Sequence, residues 1–162
     1  MKPRDVLNMT NPFMARAIEL SIENVQDGGG PFGAVIARGT EIIAEGKNRV
    51  TETKDPTAHA EIVAIRAACQ KLGTFELKDC EIYSSCEPCP MCLSAIYWTR
   101  LARIYFASYA SDASKAGFDD SLIYGEIARP YDKRQIPMVP MMREQALEAF
   151  RLWSLKPDKV SY

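Results

Sequence analysis

The sequence lacks a long apolar run. No stretch approaches the ~18 consecutive apolar residues of a transmembrane helix, so a membrane partner is not expected. A secretory leader is not expected either: Met1-Lys2-Pro3-Arg4-Asp5 opens a charged, amphipathic stretch without an apolar centre. An excess of one charge is also missing, with 20 Lys plus Arg against 21 Asp plus Glu and a formal net charge of −1. Enzymes that grip tRNA or DNA usually carry a strong basic excess, so nucleic acid is not the expected partner and a small neutral molecule is the simpler one. Five cysteines without a leader suggest a reducing cytoplasm and metal use, not a disulfide framework. There is no internal repeat, linker or low-complexity segment. A chain of 162 residues with 47% hydrophobic content fits one domain, 1–162, able to bury about two-thirds of the surface its unfolded form exposes.

Two short stretches carry the chemistry. One is Pro56-Thr57-Ala58-His59-Ala60-Glu61 and the other is Cys86-Glu87-Pro88-Cys89-Pro90-Met91-Cys92. Together they offer one imidazole, thiols three residues apart, and a carboxylate two residues from the imidazole. Three N and S ligands leave the fourth position of a tetrahedral zinc open, as in a catalytic site. Cys89 and Cys92 would leave one face of a helix a turn apart. His59 and Glu61 would point apart in mid-helix, so both reach one metal only at a helix start. Thr57 is the expected N-cap there. Pro88 and Pro90 suit a second helix start. Two helix N-termini converging on one ion would favour thiolate. Each fragment alone equally suits buried core thiols and a core histidine. A redox use of Cys89-x-x-Cys92 leaves His59 and Glu61 unexplained.

The remaining chain reads as alternating helices and strands. Asn11 caps a helix to about Gln26, and Gly28-Gly29-Gly30-Pro31 ends it. That glycine run follows a helix and precedes a strand, the reverse of a phosphate loop, so it reads as a turn. Phe32 to Arg38 is an apolar run suited to a strand buried on both faces, turning at Gly39-Thr40 into Glu41 to Lys47. A helix from Thr57 to Leu72 follows. Then come a strand from Glu81 to Ser85, a helix from about Pro88 to Trp98, and a strand from Arg103 to Ala107, a parallel crossover unit. Asp112 to Ser121 reads as polar turn. A helix from Ser121 to Ala128 precedes a short extended segment, Ile136-Pro137-Met138-Val139-Pro140. An amphipathic helix from Arg143 to Leu155 precedes the tail. The expected fold is a three-layer α/β/α sandwich on a mixed, mostly five-stranded sheet.

His-Ala-Glu followed by Pro-Cys-x-x-Cys resembles the zinc-dependent nucleobase deaminases of the cytidine deaminase superfamily, whose signature is H-x-E with P-C-x-x-C. Pro31 to Ile36, Asp55 to Glu61, Ser85 to Cys92, Ala95 to Trp98, Ala116 to Asp120 and Tyr162 resemble the bacterial guanine deaminase branch. The resemblance implies zinc as cofactor, His59, Cys89 and Cys92 as ligands, and a metal-activated water that attacks guanine C2. It implies Glu61 as proton carrier and Asp120 as a second one. It implies a purine base contacted by Phe32, Asn48, Trp98 and Tyr162, with N–H groups near Ala60 and Cys89 orienting the reactants. It also implies a homodimer in which the tail, about 141–162, is exchanged between subunits. Cys86 is expected to stay off the metal.

Several of these residues have plainer readings. Phe32 and Trp98 suit core packing, Asn48 a turn, Asp119 or Asp120 a helix cap, and Cys69 the core. The rival functions are a tRNA adenosine deaminase, a deaminase of guanosine, an amino-triazine, adenine or cytosine, and a zinc-binding module without enzymatic activity.

Overall fold

A computed structural model describes residues 11–162, so the N-terminal residues read above for a leader lie outside the described part. The chain divides into two compact units, 1–120 and 121–162.

The first unit is built on a four-stranded sheet in the order β2-β1-β3-β4. Its strands are β1 (Gly33–Arg38), β2 (Glu41–Lys47), β3 (Glu81–Cys86) and β4 (Arg103–Ser108). β1 runs antiparallel to β2 and β3, and β3 runs parallel to β4, so the sheet is mixed. The apolar run of β1 is buried on both faces because successive side chains alternate. Ala34 and Ile36 face one core with Ile43, Ala60, Ala64, Ile82 and Ile96. Val35 and Ala37 face the other with Ala17, Leu20 and Tyr83. Helix α1 (Pro12–Gln26) covers that second face, while α3 (Ala60–Leu72) and α4 (Pro90–Trp98) cover the first. This is the expected three-layer α/β/α arrangement.

The sheet has four strands where five were expected. Ile136–Pro140 lies in the second unit and forms no strand, for Pro137 and Pro140 have no N–H to give to a ladder.

α1 starts where Asn11 caps it, its Oδ1 accepting from the N–H groups of Phe13 (2.9 Å) and Met14 (3.0 Å). A short helix, α2 (Val50–Thr53), follows β2. α3 begins later than expected. Thr57 is not its cap; its N–H and hydroxyl both donate to Asp55 Oδ1, at 2.8 and 2.7 Å, in a turn ahead of the helix. The cap position belongs to His59. α3 lies against β2 at Gly46, where an added Cβ would collide with the Ala60 carbonyl and sit 2.7 Å from Ala64 N. Only glycine permits that approach. It seats the N-terminal end of α3 on the sheet. Asp112, expected in a turn, lies in a short helix, α5 (Ala110–Lys115), whose first N–H groups are met by carboxylates. Tyr109 N–H donates to Asp112 Oδ2 and Ala110 N–H to Glu87 Oε2, each at 3.0 Å.

The second unit contains α6 (Ser121–Ala128), a 3₁₀ turn at Tyr131–Lys133 and α7 (Arg143–Leu155). Glu126 organises it, binding Arg129 at 2.7 Å and accepting from Gln135 N–H at 2.7 Å. None of its residues is buried, and Ile136 and Met141 are each 79% exposed. No helix among the described residues is long and apolar enough to cross a membrane.

Candidate metal centre

β3 delivers the chain to Cys89, and the turn at Asp55 delivers it to His59. Each then stands at the N-cap of a helix, His59 of α3 with φ/ψ −67/157° and Cys89 of α4 with φ/ψ −63/167°. Extended backbone at a cap turns the side chain across the helix end. Pro90 takes the first helical position of α4, where its missing N–H costs nothing. Cys92 follows as the third residue of the helix and reaches back toward Cys89.

The imidazole faces both thiols. His59 Nδ1 lies 3.6 Å from Cys89 Sγ and 3.5 Å from Cys92 Sγ. Zinc bonded tetrahedrally at about 2.3 Å to sulfur and about 2.05 Å to nitrogen would hold such a pair about 3.6 Å apart. The donor set therefore fits that metal in both chemistry and spacing. His59, Cys89 and Cys92 form the only such ligand cluster among the described residues. Cys86 is not in it. Its sulfur turns to the Tyr109 carbonyl at 3.8 Å. Cys69 packs against the sheet core, and Cys80 is buried in it.

The two thiols share a proton unequally. The Cys89 thiol is pulled down to about 4, first by the hydrogen bond from Cys92 and then by His59. Cys92 is held up by that same bond and by burial. His59 is raised, chiefly by its bond to Cys89.

Glu61 is the second residue of α3 and is 6% exposed. Cys92 Sγ lies 3.4 Å from its Oε2, and the Ser84 hydroxyl donates to its Oε1 at 3.2 Å. Burial raises its carboxyl above the ordinary value. Ser84 had no place in the sequence reading. Its only signal was a hydroxyl inside a strand that is otherwise apolar on that face.

The base-contact candidates are less concentrated. Phe32 is half-buried and packs edge-to-face with Phe118, ring centres 4.9 Å apart. Asn48 N–H donates to the Phe32 carbonyl at 3.1 Å. Ala60 is the fully buried first residue of α3. Asp120 is half-buried and its carboxyl is raised, first by desolvation and then by the nearby Cys89. Trp98 ends α4, about 13 Å along the axis from Cys89 at the usual helical rise, and is 64% exposed. Tyr162 lies in the second unit beside Phe150 and Trp153.

Residues 8–108 match the description "Cytidine and deoxycytidylate deaminase zinc-binding region". The chain belongs to the cytidine and deoxycytidylate deaminase family. Within that family it is 51% identical over 151 residues to the guanine deaminase of Bacillus subtilis (strain 168), covering 93% of this chain and 97% of that one. A crystal structure of guanine deaminase from Bacillus subtilis superposes with a TM-score of 0.91 at 50% identity, covering 94% of this chain and 99% of that one. The tRNA-specific adenosine deaminase of Aquifex aeolicus (strain VF5) is 41% identical over 96 residues, covering 59% of this chain and 64% of that one.

Proposed function

We propose that this chain is a zinc-dependent guanine deaminase, hydrolysing guanine with water to xanthine and ammonia. The observation that carries the reading is reach: similarity to a guanine deaminase runs over 93% of this chain, whereas similarity to a tRNA deaminase covers 59%. The near-neutral charge also favours a small base over tRNA.

His59 Nδ1, Cys89 Sγ and Cys92 Sγ hold the metal. Zinc so held supplies Lewis-acid chemistry that makes water a nucleophile near neutral pH. Glu61 takes the proton from the attacking water and passes it to the purine ring and then to the departing amine. Its burial beside Cys92 and Ser84 supports that role, with Oε2 3.4 Å from the Cys92 sulfur. Asp120 is a second proton carrier, poised by partial desolvation. The N–H groups at the starts of α3 and α4, near Ala60 and Cys89, orient the reactants. Phe32 stacks on the base and Asn48 hydrogen-bonds its edge.

Trp98 walls the base pocket beside Phe32, and Tyr162 reaches it from a second copy of the chain. The apolar surface left on the second unit supports a homodimer in which the tail, about 141–162, is exchanged. Free purine base as substrate and this cysteine usage support a cytoplasmic enzyme.

Ammonia release by purified, zinc-loaded protein given guanine tests the reading, with adenine, cytosine, guanosine and tRNA in parallel. Release from guanine alone is expected. Release only from another compound would keep the metal chemistry and overturn the substrate. No release from any compound, with zinc held tightly, would leave a binding module.

A further inference from the structure

We propose that Asn24, on α1 and outside the metal centre, is a positioning residue for the base pocket. Its side-chain amide ties the Gly30 and Asn48 carbonyls together and so fixes the poses of Asn48 and Phe32. The proposal rests on the assignment of those two residues to the pocket.

Asn24 shares the core-facing side of α1 with Ala17 and Leu20, where an apolar residue would be ordinary, and it is 7% exposed. A buried amide costs stability unless its hydrogens are satisfied. Here one nitrogen meets two main-chain carbonyls, Gly30 O at 2.7 Å and Asn48 O at 2.8 Å. Two further bonds close the ring. Phe32 N–H donates to Gly30 O at 2.8 Å, and Asn48 N–H donates to Phe32 O at 3.1 Å. The main-chain carbonyl of Asn24 also receives Gly29 N–H at 2.7 Å, a bond that closes the end of α1. The Gly30 and Asn48 carbonyls, on the two segments that flank Phe32, therefore hang from one side chain.

The glycine run gains a reason from this contact. A Cβ on Gly29 would lie 2.6–2.8 Å from the Asn24 amide, so residue 29 must be glycine for the amide to keep its place. A Cβ on Gly30 would come within 3.3 Å of Asn48 Oδ1, so the Asn48 side chain lies flat against that glycine. Asn48 Oδ1 in turn accepts from Val50 N–H at 3.2 Å. With the oxygen engaged, the Asn48 amide nitrogen is the group turned over to a ligand. It is a donor suited to the carbonyl oxygen or an unprotonated ring nitrogen of an oxopurine. A donor of this kind selects its acceptor only while its backbone is held still.

The test uses the full-length, zinc-loaded protein and guanine. Asn24→Ala should raise KM roughly tenfold while kcat stays within about threefold and metal content is unchanged. Gly29→Ala displaces the same amide from outside and should raise KM in the same way, which answers the question should Asn24→Ala fail to fold. In an Asn48→Ala background, Asn24→Ala should add nothing further to KM, because both act through one group. Unchanged KM in both single variants, or full additivity with Asn48→Ala, overturns the proposal and leaves Asn24 a packing residue. A wild-type KM for Asn48→Ala removes the pocket assignment instead. No turnover of guanine by the wild type removes the substrate reading. Either of these takes the positioning role with it.

Discussion

His59 and Cys89 hold the same position on two different helices, each as N-cap with nearly superimposable backbone angles. The match explains how two segments thirty residues apart deliver side chains to one point. An extended residue at a cap projects across the helix end, and the N–H groups beneath it are not used by the helix. An anionic ligand there meets favourable dipoles from both sides. The meeting of His59 and Cys89 is in this sense a property of two helix starts.

Loss of a cap ligand should therefore differ from loss of a neighbouring thiol. His59→Ala and Cys89→Ala should lose bound zinc and activity, and Tm should fall by about 5 °C or more because binding stabilises the folded state. A strong chelator should do the same to the wild type. Cys86→Ala should keep its zinc, since its sulfur bonds the Tyr109 carbonyl and not the metal cluster. Metal analysis after gel filtration and a thermal melt check both statements. Zinc loss from Cys86→Ala would place a fourth ligand in the site.

Ser84 is expected to act through Glu61. Its hydroxyl is the neutral donor to a buried carboxylate oxygen, with Ser84 itself 2% exposed. Ser84→Ala should lower kcat by roughly tenfold, the worth of one hydrogen bond to a charged group. KM and zinc content should hold. Glu61→Gln should keep zinc and lose about a hundredfold or more in kcat, since an amide cannot carry the proton. Steady-state kinetics on both variants decide. A Ser84→Ala enzyme with wild-type kcat would make the hydroxyl a packing feature.

Acid stability should carry the mark of the α1–β2 ion pairs. Lys47 binds Glu23 at 2.8 Å and holds its carboxyl below the ordinary value, with Arg16 adding to the effect. A depressed carboxyl stabilises the fold fully above its unfolded value of 4.5 and loses that contribution as pH falls through the lower, folded value. Lys47→Met should thus lower Tm near neutral pH and narrow its gap to the wild type below about pH 4. The pair is open to solvent, so the difference should shrink in high salt. Melting curves from about pH 7 to about pH 3 measure it. A gap that persists undiminished in acid would mean that the lysine acts by packing alone.

Much of the fold was legible because its patterns are strong and local. The bounds of α1, β2 and α7 follow from Asn11-Pro12, from Gly39-Thr40 and from the apolar spacing of Ala146, Leu147, Phe150 and Trp153. The metal cluster was legible because ligand chemistry restricts residue types. The start of α3 was misread because Thr57 is a good cap by type, yet Asp55 takes its N–H and hydroxyl first. α5 was hidden because Ser111, Asp112 and Ser114 favour turns, and its caps include Glu87, distant in sequence. Asn24 and Ser84 stayed unseen for the same reason: a polar residue in an apolar pattern signals a buried partner without naming it.

The tail offers the last prediction. α7 and the chain end keep large apolar side chains exposed, with Phe150 at 68% and Tyr162 at 72%, and on the first unit Tyr97 is 75% exposed. Apolar surface of this extent calls for a partner. A second copy of the chain is the simplest one, with each tail closing the other's site. In such a dimer the metal, Glu61 and Phe32 come from one chain and Tyr162 from its partner. Two crippled variants should then repair each other. Glu61→Ala has a sound tail and a dead core, and Tyr162→Ala has the reverse. A heterodimer of the two pairs the sound core with the sound tail at one of its two sites. Unfolding and refolding an equal mixture should make about half the dimers heterodimers and recover about one quarter of wild-type kcat, against little for either variant alone. A tail that folds back on its own chain gives no repair, because every site then holds one defect. Light scattering on the same samples must return the mass of two chains. A monomer that turns over guanine at full rate would end the case for exchange.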